Sequence, residues 1–361
     1  MRYVKLVDGA LIAAIVAAFA FSPTLSFAQA GPDGNAAPNP YRPDEGWAKL
    51  RPGRNWGATF GISVDRSDGK SMWAFDRCEQ QTLCANSDKH LSPIFHFDPT
   101  GKVIANFGAD MFAAPHGLFV DKDENVWATD FQLKNGKGYT VRKFSPDGKL
   151  LMTLGKDGVA GNNDSQDLFN APSNVLIAPN GDIFIGDGHG MINNQPTNAR
   201  IVKFSKDGKF IKAWGHRGTA PGEFETPHML AMDSLGRLFV GDRGNARIQI
   251  FDQDGRYLTE WKQFGRPSGV YIDKNDNMYV SDSQSTDKNN PGFGQGIRIG
   301  SAKDGKVTGY IPETAELGAL EGVAADDAGN IYGGYTNTLN FTKGGPPEVN
   351  FRRWVKKAPG F

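Results

Sequence analysis

Six short segments share one pattern of apolar and polar positions, in which a variable residue is followed by a mostly small one, an apolar alternation and, in five of six, a closing aspartate. They read FGISVD from position 60, HGLFVD from 116, SNVLIA from 173, HMLAMD from 228, SGVYID from 268 and EGVAAD from 321, at intervals of 56, 57, 55, 40 and 53 residues. Each runs through a polar turn into a second apolar segment: SMWAFD, NVWATD, DIFIGD, RLFVGD, NMYVSD and NIYGGY. Most copies continue into a third, such as VRKFSPDGK or IQIFDQDGR, whose alternation fits a strand with one buried face. A strand, turn and strand recurring at such a period is the mark of a repeat architecture. Three or four antiparallel strands six times over predict an all-β fold, a six-bladed β-propeller whose radial closure protects its sheet edges.

Composition adds the surroundings of this domain. Arg2 and Lys5 precede an apolar run from Ala10 to Phe21 and an Ala28-Gln29-Ala30 pattern, which predicts a cleaved signal peptide over 1–30 and export to the periplasm or beyond. The run is shorter than the roughly 20 residues that span a bilayer, so no membrane span is expected after cleavage. Residues 31–54, rich in Pro, Gly and Asn, read as a linker, and the propeller is expected over 55–361. Forty basic and forty acidic residues leave no basic stripe for phosphates, and nucleic acid is not an expected partner. Cys78 and Cys84 are expected to pair as a disulfide in an oxidising compartment. A monomer is expected.

The opening position of the repeated strand carries the candidate chemistry. It reads Phe60, His116, Ser173, His228, Ser268 and Glu321, and in a propeller these six positions ring the central axis. Alternate blades thus offer His116, His228 and Glu321 to one point. Two imidazoles and a carboxylate with open sites suit catalytic zinc, or iron or manganese. The end of the second strand lies beside the start of the first in an antiparallel hairpin, so Arg77, Arg243 and His189 are expected on the same rim. The aspartates just before them, Asp76, Asp130, Asp187, Asp242 and Asp282, recur in five of six blades and so read as structural, bonded to turn amides.

The stretch PGEFETPHMLAMDSLGRLFVGDRGNARIQIFDQDGRYL, 221–258, resembles the NHL repeat family, which implies a six-bladed propeller and no particular reaction. APHGLFVDKDENVWATD, GDGHGMINNQPTNARIVKFSKDGKFIKAWG and PGEFETPHMLAMDSLGRLFVGDRGNARIQIF further resemble the peptidyl-α-hydroxyglycine α-amidating lyase family. That resemblance implies a zinc held by three histidines, two flanking arginines and a tyrosine near the metal. His116 and His228 match two ligands, and Arg77 and Arg243 match the arginines. The third histidine falls at Glu321 and the tyrosine at His189, an imidazole still able to act as base. The family's structural calcium uses an aspartate whose place is taken by Gly322, so that contact is not expected. The implied reaction is cleavage of an N-acyl-α-hydroxyglycine, a small or peptide-derived substrate, to an amide and glyoxylate. A metal-dependent hydrolase resembling a lactonase and a propeller that only binds are the alternative readings.

Overall fold

The computed structural model describes residues 1, 35–44, 46–79, 83–313, 319–336 and 350–358. Apart from residue 1, the expected signal peptide lies outside them. The described residues form six four-stranded antiparallel sheets and one two-stranded hairpin, with no α-helix among them. No helix among them is long and apolar enough to cross a membrane.

Blade one comprises β2 (Thr59–Val64), β3 (Met72–Asp76), β4 (Ile94–Phe97) and β5 (Val103–Phe107). Blade two runs from β6 (Pro115–Val120) to β9 (Leu150–Gly155). Blade three joins β10 (Pro172–Ile177) and β11 (Ile183–Asp187) to β14 (Arg200–Phe204) and β15 (Phe210–Trp214); the hairpin β12 (Met191–Ile192) and β13 (Gln195–Pro196) is inserted between them. Blade four starts at β16 (Pro227–Met232) and blade five at β20 (Pro267–Ile272). Blade six combines β24 (Ala319–Ala325), β25 (Ile331–Thr336) and β26 (Phe351–Lys356) with β1 (Tyr41–Asp44), which pairs antiparallel with β26. The stretch expected to be linker thus supplies the outer strand of the last sheet.

Each blade packs face to face with its neighbours, and a separate apolar cluster fills each of the six interfaces. Between blades one and two, for example, Trp73, Phe75 and Ile94 meet Leu118, Val126 and Phe144. Burying a side chain of this size contributes about 1.5–3 kcal/mol. The third strands therefore have two buried faces, contrary to the one-faced reading of their alternation: all five residues of Arg200–Phe204 are buried. Their polar side chains are inside because they meet the repeated aspartates. Arg200 Nε donates to Asp187 at 2.8 Å, and Arg247 Nε to Asp242 at 3.0 Å. In blade one the partner of Asp76 is Arg54, brought in from the N-terminal segment. The same carboxylates accept turn amides, as expected: Asp130 takes those of Ala113 and Ala114 at 2.8 and 2.6 Å.

One local device repeats on the axis. The register of each first strand against its second is interrupted at the variable position, between Pro172 and Asn174, Pro227 and Met229, and at the matching place in the other four blades. A bulge places an extra residue out of the pleat and re-aims its side chain. The strands approach closely here. A Cβ on Gly117 would stand 2.6 Å from the Ser173 carbonyl oxygen, so only glycine fits after His116.

Candidate functional site

His116 and His228 occupy bulges of blades two and four and are fully buried. Each is oriented by the neighbouring blade. His116 Nδ1 lies 2.6 Å from the Ser173 carbonyl and His228 Nδ1 lies 2.6 Å from that of Ser268. A carbonyl oxygen only accepts, so both Nδ1 atoms carry the hydrogen and both Nε2 atoms present a lone pair.

His189 stands between β11 and the inserted hairpin. Gly188 before it has φ +145°, and a Cβ there would meet the Asn198 carbonyl oxygen at 1.9 Å; the His189 amide donates to Thr197 Oγ1 at 2.8 Å. The turn delivers its imidazole to the other two. His189 Nε2 is 3.1 Å from His228 Nε2, and Arg243 Nη2 donates to the same nitrogen at 3.3 Å. A guanidinium cannot accept, so His189 Nε2 also presents a lone pair. Ligand atoms of His116, His189 and His228 all lie within 4.8 Å of one another, and His116 Nε2 has no hydrogen-bond partner among the described residues. Three convergent imidazole lone pairs are a donor set for a transition metal, and the residues present fit such an ion.

All three imidazoles are held well below the ordinary histidine pKa of 6.5. Burial is the main cause in each; Arg243 is the next for His189 and His228, and the neighbouring His189 for His116. They are therefore neutral, the form that binds metal, at neutral pH.

Glu321 is brought to the same place with a different set of contacts. Arg243 Nη1 donates to its Oε1 at 3.2 Å, and its Oε2 is 3.9 Å from His228 Nε2. Sequence reasoning grouped Glu321 with His116 and His228 and set His189 apart. In the fold it is His189 that closes the cluster of nitrogens, while Glu321 pairs with the arginine beside it. The reason is the inserted hairpin, which the blade register does not reveal.

Arg77 and Arg243 are both buried. Arg77 Nε donates to the Pro115 carbonyl at 3.0 Å, and its guanidinium lies over Phe131, 5.1 Å from the ring centroid. Burial pushes Arg77 down to about 10, still charged at neutral pH. Next to it Cys78 is disulfide-bonded to Cys84. Both arginines, His189 and Glu321 line an open cavity of about 310 Å³, with Phe131, Gln284 and Thr336 also on its wall. Phe131 follows Asp130 as Arg77 follows Asp76, so the same register would have found it. Phe60 packs under the cluster, its ring centroid 3.9 Å from that of His116.

Known proteins agree with this architecture. The NHL repeat family matches residues 224–251, within blade four, which includes His228 and Arg243. NHL repeat-containing protein 3 of Homo sapiens is 34% identical over 210 residues, 57% of this chain and 54% of that protein. Peptidyl-glycine alpha-amidating monooxygenase B of Xenopus laevis is 32% identical over 285 residues, 74% of this chain and 30% of that protein. Peptidyl-alpha-hydroxyglycine alpha-amidating lyase 1 of Drosophila melanogaster is 37% identical over 212 residues, 52% of this chain and 36% of that protein. The chain thus spans about half or less of the length of these relatives. Among solved structures, a gluconolactonase from Xanthomonas campestris superposes with a TM-score of 0.56 at 14% identity, covering 88% of this chain and 95% of that one. A streptogramin B lyase does so with a TM-score of 0.52 at 14% identity, covering 88% and 98%. At that identity they share the fold alone. The chain is a six-bladed β-propeller that carries an NHL repeat at 224–251 and is similar in sequence to the peptidyl-α-hydroxyglycine α-amidating lyases.

Proposed function

We propose that this protein is a metal-dependent lyase that cleaves an N-acyl-α-hydroxyglycine or a related carbinolamide to an amide and glyoxylate, after export from the cytoplasm. The observation that carries this reading is the convergence of three imidazole lone pairs, those of His116, His189 and His228, of which His189 lines a cavity walled by two buried arginines. The three histidines would hold a divalent ion, zinc before iron or manganese, given an all-imidazole set with room for substrate. Such an ion supplies Lewis acidity toward a hydroxyl, lowering its pKa.

The chain's own groups account for the rest. Arg77 and Arg243 bind the substrate carboxylate, a task suited to the planar fork of a guanidinium. Glu321 Oε2, beside His228, takes the hydroxyl proton, the part expected of His189, whose Nε2 is committed to the cluster. As the O–H electrons form the aldehyde C=O, the C–N bond breaks and its electron pair stays on nitrogen. Nitrogen then receives the proton, giving the neutral amide.

Glyoxylate release from a simple N-acyl-α-hydroxyglycine by the metal-loaded protein, with His228→Ala alongside, tests the reading. Release abolished by the substitution supports it. A folded, metal-loaded protein that releases none, yet opens a simple lactone, would move the assignment to a hydrolase.

A further inference from the structure

The propeller has a second cavity at the opposite end of its axis. The six variable residues, from Phe60 to Glu321, form a diaphragm: none is more than 8% exposed and none lines this second space. It begins one or two residues further along the first strands and encloses about 480 Å³, more than the cavity on the histidine side, and well within the range of small-molecule sites. Its inner wall carries Ile62, Leu118, Leu176, Leu230, Val270 and Val323, one from each of the six blades, and polar and charged residues share the lining.

Charges at its mouth are unequally engaged. The Asp65 carboxylate receives Trp73 Nε1 at 3.0 Å and faces His96 at 3.1 Å. Asp233 holds Arg237 at 2.6 Å, Asp273 accepts Asn277 Nδ2 at 2.8 Å, and Asp327 pairs with Lys274 at 2.6 Å. Arg66 has no carboxylate partner among the described residues. Its guanidinium is laid over the Phe119 ring, 4.8 Å from the centroid, at the cavity wall. The Tyr271 hydroxyl, on the same wall, makes no hydrogen bond to another described residue. Deeper in, Asn174 is only 2% exposed; its Oδ1 accepts the Leu230 amide at 3.2 Å, while its Nδ2 has no partner among the described residues.

We propose that this cavity binds a free amphipathic organic anion, its apolar chain lying between the first strands and its carboxylate against Arg66 and Tyr271. Apolar walls supply affinity and a few polar groups supply orientation, the usual division of labour in such sites. Asn174 Nδ2 offers one further donor, to a water or to a ligand oxygen. Asp233 and Asp327 are neutralised by Arg237 and Lys274, and Asp65 and Asp273 are held by the neutral donors Trp73 and Asn277, so Arg66 is the cation left to meet the anion.

Decanoate, decanol and decyltrimethylammonium serve as probes, titrated calorimetrically into the full chain. One decanoate per chain is expected, bound at least tenfold more tightly than the ammonium of equal length. Arg66→Glu should weaken decanoate about tenfold and leave decanol unchanged; Arg66→Gln should fall between. Arg66 is exposed, so an unchanged unfolding midpoint will show that the fold survives. The proposal is overturned if decanoate does not bind, if both ions bind alike, or if Arg66→Glu leaves the affinity unaltered. Cosedimentation with anionic phospholipid vesicles that depends on Arg66 would also overturn it, assigning the face to a membrane instead. None of these readouts depends on the reaction at the histidine end.

Discussion

His189 and His228 bring their Nε2 atoms to 3.1 Å of each other, and the hydrogen-bond partners of both rings leave neither nitrogen with a hydrogen to share. Two facing lone pairs repel, and a cation relieves the repulsion by accepting both. His116→Ala, His189→Ala and His228→Ala should each lower bound metal by an order of magnitude or more, whereas Glu321→Gln should retain it and lose activity. Metal analysis of the four purified variants decides. Retention by His189→Ala together with loss in Glu321→Gln would restore the grouping of His116, His228 and Glu321.

The depressed imidazole pKa values make the metal-free protein sensitive to mild acid. The unfolded chain binds protons at about pH 6.5, while the folded imidazoles do so well below it. Their contribution is therefore complete above that pH and is lost as pH falls through the folded values. Each histidine that remains neutral in the fold adds up to about 1.4 kcal/mol per pH unit. Urea unfolding of chelator-treated protein between pH 7.5 and 5.5 should show stability falling with pH. A flat profile would contradict the shifts.

Arg77 and Arg243 should differ when replaced. Arg243 is paired with Glu321 and touches His189, so Arg243→Ala should lower kcat and disturb metal retention. Arg77 is anchored by its Nε to the Pro115 carbonyl, and Arg77→Ala should chiefly raise KM, by ten- to a hundredfold if it holds a carboxylate through a charged hydrogen bond of about 1.5–3 kcal/mol. Steady-state kinetics on the carbinolamide separate the two, and an unchanged KM in Arg77→Ala would remove it from the substrate site.

The disulfide closes a loop immediately after Arg77. For a loop this short, restriction of the unfolded chain contributes about 2 kcal/mol. Cys78→Ser with Cys84→Ser should lower stability by roughly that amount. A thermal midpoint equal to that of the parent chain would show that the cross-link does not stabilise the fold.

Asp242→Ala should cost more. It removes the acceptor of Arg247 Nε and of the Glu225 and Thr226 amides, while Arg247 keeps Glu260 at 2.9 Å, and each buried donor left unsatisfied costs about 1–3 kcal/mol. Denaturant unfolding of the variant measures it; a loss below 1 kcal/mol would mean that water replaces the carboxylate.

The blades and the axial ring were legible in the chain because each copy repeats the same short strand, and positions that vary inside an otherwise constant pattern stand out. His116, His228, Glu321, Arg77 and Arg243 all come from that register. The same register placed His189 on the rim, two residues beyond Asp187, but only the folded turn after Gly188 shows that its ring reaches His228. The arginines that answer the repeated aspartates also escaped notice, since Arg200 and Arg247 look like the polar half of a one-faced strand until two sheets close over them. Nothing in the local pattern of 41–44 links it to 353–356, because pairing across the whole chain leaves no periodic trace.

That last pairing also determines what kind of object the site is. Arg77 comes from blade one, the histidines from blades two, three and four, and Glu321 from blade six. Asp44 on β1 accepts Arg353 Nε from β26 at 2.8 Å, fastening the first described strand to the last. The clustered imidazole nitrogens and the groups around them therefore share no local neighbourhood in the chain. They are held at a common centre as the spokes of a wheel are held by its rim, and a cut in the rim, however distant from the hub, would be felt there first as a loss of alignment.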